Sequence, residues 1–79
     1  MSPTVFRSGG YRFHFFSREE SRPHVHVDHP DGEAKVRLDP TITISHNPGL
    51  TRRQVATILR LTREHENEIR KAWTRHFGR

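Results

Sequence analysis

The apolar residues of this 79-residue chain change their period once, at Gly49, and that single switch leaves few folds open. Before it the pattern has a period of two. In Tyr11-Arg12-Phe13-His14-Phe15 the aromatic rings share one face of a strand and Arg12 and His14 share the other. Thr4-Val5-Phe6-Arg7 is β-prone, and Ser8-Gly9-Gly10 joins the two runs as a hairpin. A polar loop over residues 17–23 leads to His24-Val25-His26-Val27-Asp28, with valines on one side and His, His, Asp on the other. His29-Pro30-Asp31-Gly32 reads as a turn, Ala34-Lys35-Val36-Arg37-Leu38 alternates again, and Asp39-Pro40 breaks the run. Residues 41–45 make a last, short strand.

Past the breaker cluster His46-Asn47-Pro48-Gly49 the period becomes helical. Thr51 with Gln54 has the form of a capping box, and Leu50 and Val55 flank it as a hydrophobic staple. Val55, Ile58, Leu59, Thr62, Glu66, Ile69, Trp73 and Phe77 then line one stripe. A straight helix over residues 51–76 would run about 39 Å, longer than a domain of this size is wide, so it projects or breaks near His65-Glu66-Asn67. The expected fold is α+β and a single domain, residues 1–79. An antiparallel sheet of four or five strands spans residues 4–45, and a C-terminal helix or helix pair, 51–77, packs on one face.

That core is thin, because only 30% of the residues are hydrophobic and 29% are charged. A core of this size supplies roughly 3–5 kcal/mol, so a homodimer or a tightly bound partner is expected to add stability. The absence of cysteine excludes thiolate catalysis, disulfides and cysteine-ligated zinc. No apolar run reaches the length of a membrane span and Met1-Ser2-Pro3-Thr4 lacks the features of a signal peptide, so the expectation is a cytoplasmic protein with no membrane partner. The net charge is +5, and twelve of the fourteen basic residues are arginine. Guanidinium groups suit phosphate, which makes a polyanion the expected partner, RNA ahead of DNA.

Alternation also gathers the chemistry. With the apolar side of the strands toward the helix, Arg12, His14, His24, His26, Asp28, Lys35 and Arg37 all face the other way. Cations there would hold phosphate, imidazoles would move protons, and Phe16 would stack on a base. Solvated strand positions in a basic protein have the same composition. His24 and His26, two apart on a strand, suit an acid and base around one phosphate. They also suit two metal ligands with Asp28 third and His14 or Glu33 nearby. On the helix, Arg52, Arg53, Arg60, Arg63, Arg70 and Lys71 fall within a sector of roughly 100°. This ridge either tracks a phosphate backbone or is a solvated face with pairs such as Arg60 to Glu64 and Glu66 to Arg70.

Pro23-His24-Val25-His26-Val27 followed by Gly32-Glu33-Ala34-Lys35, with Pro3-Thr4-Val5, Arg7, Gly10-Tyr11-Arg12-Phe13, Ser17, Glu20, Pro40, Gly49, Trp73 and Phe77, resembles the small bacterial family called domain of unknown function 4160. Arg22 stands where that family has the first proline of a Pro-Pro pair. The resemblance implies a cytoplasmic prokaryotic protein encoded beside a small cognate partner, in the manner of a toxin-antitoxin pair, and it supplies no reaction. Three functions follow from residues and resemblance together. The first is a basic RNA-binding toxin and metal-independent endoribonuclease. In it His24 and His26 transfer protons, while Arg12, Lys35 and Arg37, with the ridge residues Arg60, Arg63 and Arg70, hold nucleic acid. It needs no cofactor, since the ribose 2′-hydroxyl is the attacking group. The second is a non-catalytic regulator binding DNA or a partner through the helix. The third is a metal-dependent hydrolase or sensor built on His24, His26 and Asp28.

Overall fold

The computed structural model describes residues 4–16 and 22–78. Most of the loop expected over residues 17–23, and the positions Pro3, Ser17 and Glu20 of the family pattern, lie outside them. The elements are β1 (Thr4–Ser8), β2 (Tyr11–His14), β3 (His24–His29), β4 (Gly32–Arg37), β5 (Thr43–His46), α1 (Arg52–Glu64) and α2 (Glu66–Phe77). The strands form one antiparallel sheet in the order β1-β2-β3-β4-β5, so each pairs with its neighbour in the chain. Gly9 and Gly10 both take positive φ between Ser8 and Tyr11, which face each other across the hairpin. That is the backbone a two-residue turn needs to follow the twist of the strands. At the next hairpin His29 pairs with Gly32, so the turn narrows to Pro30 and Asp31.

The apolar side is the expected one. Tyr11, Phe13, Phe15, Val25, Val27, Ala34, Val36 and Leu38 are buried against Ile58, Leu61, Ile69 and Trp73 of the helices. At one end of this layer Trp73 packs edge-on to Phe15, with ring centroids 5.4 Å apart, and lies 4.3 Å from Phe77.

The helix starts where the sequence places it. The Thr51 hydroxyl accepts from the Gln54 backbone N–H at 3.1 Å, and the Gln54 side chain accepts from the Thr51 N–H at 2.8 Å. It breaks at His65 (φ −109°, ψ 17°), between two helices of 13 and 12 residues. The molecule is 33 Å across at its longest, too short for an unbroken helix of about 39 Å lying on the sheet. The His65 ring fills the bend, stacked 3.9 Å from Phe6, which in turn stacks 4.3 Å from Phe13.

Two contacts tie the layers together. Gly32 and Gly49 meet backbone to backbone, and a Cβ on Gly32 would overlap the Pro48 carbonyl oxygen. Beside them the Glu33 N–H donates to Pro48 O at 3.2 Å and Gln54 Nε2 donates to Asp31 Oδ2 at 2.8 Å. The β3–β4 turn is thereby fixed to the start of α1. On the other side, Arg70 Nη2 donates to Leu38 O (2.9 Å) and Asp39 Oδ1 (2.8 Å), and Arg70 Nε donates to Glu66 Oε2 (2.8 Å). The hydrogen bond from Arg70 holds the Asp39 carboxyl below its ordinary value, and the same bond raises the guanidinium.

Candidate nucleic-acid interface

Strand register arranges the outer face in rows. Thr4, His14, His26, Lys35 and His46 are successive cross-strand partners, so one row crosses all five strands. On one side of it lies the row Arg7, Arg12, Asp28, Glu33, and on the other His24, Arg37 and Thr43. Every outward residue expected from alternation is therefore on this face.

Their exposure differs from expectation. As strand neighbours on the outer face, His24 and His26 are both expected to be at least partly exposed; His26 is, yet His24 is 1% exposed, and His14 beside them 2%. Phe16, two residues beyond His14, supplies part of the cover, with its ring 5.3 Å from His14 and 4.2 Å from His26. His24 sits at the sheet end, 5.3 Å from Trp73 and 5.1 Å from His26, and its Nδ1–H donates to Arg22 O at 2.9 Å. The two imidazoles are nearly perpendicular (78°), and His26 alone of the pair is part-exposed. His14 Nε2 lies 3.1 Å from Asp28 Oδ2, out of line for a hydrogen bond, and Arg12 Nη1 reaches the same oxygen at 3.4 Å. Asp28 thus lies within ion-pair distance of Arg12 and His14. Among the described residues no three His, Asp or Glu side chains are grouped to hold a metal ion.

Lys35 is part-exposed and Arg37 exposed beside this row. Phe16, at 46% exposure, is the exposed large hydrophobic residue of the described chain. The helix ridge is less uniform than its sequence. The break at His65 divides it, Arg60 forks onto Glu64 at 3.1 and 3.2 Å, and Arg70 is engaged by Asp39, Leu38 and Glu66. Arg63 stays exposed on α1. Sequence reasoning set His14 and Glu33 near Asp28 but missed the pairing of Asp28 with Arg12, and it missed that Glu33 and His46 share a recess with Phe16, His26 and Lys35. The i, i+2 spacing of Glu33 and Lys35 was the available signal for the recess.

A five-stranded antiparallel meander, backed by a broken helix and faced with histidines, arginines and one open ring, defines a small α+β protein with a cationic, aromatic sheet face. The chain belongs to the family described as a domain of unknown function, DUF4160, whose model matches residues 10–74. No curated protein and no solved structure matches it. No helix of the described residues is long and apolar enough to cross a membrane.

Proposed function

We propose that the outer face of the sheet binds single-stranded RNA. The observation that carries this reading is Phe16, exposed and seated 4.2 Å from His26 beside Lys35. An open ring flanked by cations on a sheet gives a base a stacking partner and its phosphate a counter-charge. Arg37 and Lys35 extend the charge along β4. A net charge of +5 favours encounter with any polyanion, and the ring is what favours unpaired bases over duplex.

Cleavage by a His24 and His26 pair has less support, because His24 is enclosed and its Nδ1–H is spent on Arg22 O. His26 is the imidazole that a bound strand would meet, with Lys35 across the strand from it. This reading suits the toxin half of a two-gene module whose target is RNA.

The test compares two surfaces by fluorescence anisotropy with a labelled RNA oligonucleotide. Lys35→Glu with Arg37→Glu is expected to weaken binding at least about tenfold and to flatten its salt dependence. Arg60→Glu with Arg63→Glu is expected to weaken it less. The reverse order would move the interface to the helix and favour the regulator reading.

A further inference from the structure

The recess beside Phe16 contains an acceptor as well as a ring and a cation. Phe16, His26, Glu33, Lys35 and His46, with Ala34 between the two β4 residues, line a depression of about 220 Å³, large enough for one planar base. Glu33 and Lys35 are two residues apart on β4, so they stand on the same face at a spacing of about 7 Å. Glu33 also faces Asp28 directly across the β3–β4 pairing. Two carboxylates in that position repel. Asp28 is relieved by Arg12 at 3.4 Å, whereas Glu33 is exposed beside the recess. A ligand that brings N–H donors to Glu33 would offset the repulsion.

Resting on the RNA-binding reading of this face, we propose that the recess is a single-base subsite for guanine. The Watson–Crick edge of guanine carries O6, N1–H and the N2 amino group side by side, one acceptor followed by two donors. Glu33 accepts from N1–H and N2–H, Lys35 donates to O6, and the base stacks on Phe16, with His26 at its edge. The other bases match less well. Adenine sets one amino group beside the bare N1, cytosine sets one beside the bare N3, and uracil has a single N–H between two carbonyls. Each of these turns a lone pair toward the carboxylate or leaves it one donor short.

The experiment measures binding of the RNA trinucleotides UGU, UAU, UCU and UUU, and of the inosine form UIU, by isothermal titration calorimetry. UGU is expected to bind roughly tenfold tighter than the other three natural sequences, the discrimination of one good bidentate contact. UIU, lacking the N2 amino group, should fall between. Glu33→Gln should reduce the preference for UGU over UUU to about twofold or less. Phe16→Ala should weaken all five together. Equal affinities for the four natural sequences, with Phe16→Ala still weakening them, would overturn the guanine subsite and leave RNA binding at this face standing. A UGU preference that survives Glu33→Gln would likewise overturn it. Affinities indifferent to Phe16→Ala would overturn the RNA-binding face itself, and the subsite with it. Glu33 is exposed on a strand, so a melting temperature of Glu33→Gln no lower than that of the unmodified protein is the control for folding.

Discussion

The two faces of this sheet are cut from the same five strands and closed by different means. Toward the helices, aliphatic and aromatic side chains meet Ile58, Leu61, Ile69 and Trp73, and water is excluded by a second layer of chain. On the other face no element covers the centre among the described residues. Rings cover rings instead, with Phe16 over His14 and His26, and His24 against Trp73. Burial on the helix side is a consequence of hydrophobicity, whereas on the outer side it falls on imidazoles whose neighbours happen to be broad and flat. The lesson is that alternation assigns a residue to a side, and burial is then decided by what stands beside it.

The comparison can be broken most forcefully from the helix side. Trp73 touches both faces through Phe15 and His24, so Trp73→Ala should cost about 3–5 kcal/mol, comparable with the whole stability expected of such a core. Circular dichroism should show no cooperative melting. Retained cooperativity would mean that the sheet is held without its helix layer. Next in size is Gly32→Ala, where a methyl group meets the Pro48 backbone; about 2–3 kcal/mol should be lost in urea unfolding.

The outer face separates its own members. His24→Ala should cost about 1–3 kcal/mol, since it empties a buried site and abandons the Arg22 carbonyl, while His26→Ala should cost under about 1 kcal/mol and act on RNA affinity instead. Equal losses of stability would erase the distinction drawn between the two rings. Smaller still, Arg37→Ala should leave stability within about 0.5 kcal/mol and lower the slope of log affinity against log salt by about 1.

The remaining effect is acid-dependent. Asp39 titrates below its ordinary 3.8 when folded because Arg70 holds its anion. Its contribution is therefore full above that ordinary value and is lost as pH falls past it toward the lower, folded one. With Asp39 half exposed, no more than about 1 kcal/mol is involved. Arg70→Ala should remove this part of the acid dependence, and a melting series from pH 6 down to about 2 would detect it. An unaltered series would show the pair to be dispensable at this bend.

Much of the helix side was legible, because period-two runs such as Tyr11 to Phe15 and the capping box at Thr51 are local signals. Strand ends moved slightly. β3 runs on to His29 and β4 begins at Gly32, since the turn needs only Pro30 and Asp31, and β5 sits at Thr43–His46, where it was expected over 41–45. The break near His65 followed from length alone. What was not legible depends on distant partners: Arg70 meets Asp39 across 31 positions, and Asp28 meets Arg12 across 16. Reading the helix as one ridge therefore counted Arg70 among the residues facing outward. His24 had the correct side and the wrong exposure, for want of knowing that Trp73 stands beside it.

The sequential order β1-β2-β3-β4-β5 has a kinetic consequence. Every strand finds its partner within a short stretch of chain, so loop closure is inexpensive and the hairpins can form on their own within microseconds. The helices come later in the chain, and a ribosome adding roughly 5–20 residues per second would finish β5 seconds before Trp73 emerges. During that interval the valines of β3 and β4 face the solution as a bare apolar sheet. Newly made chains should then be most prone to aggregate, and to need a chaperone, between the completion of the fifth strand and the arrival of α2.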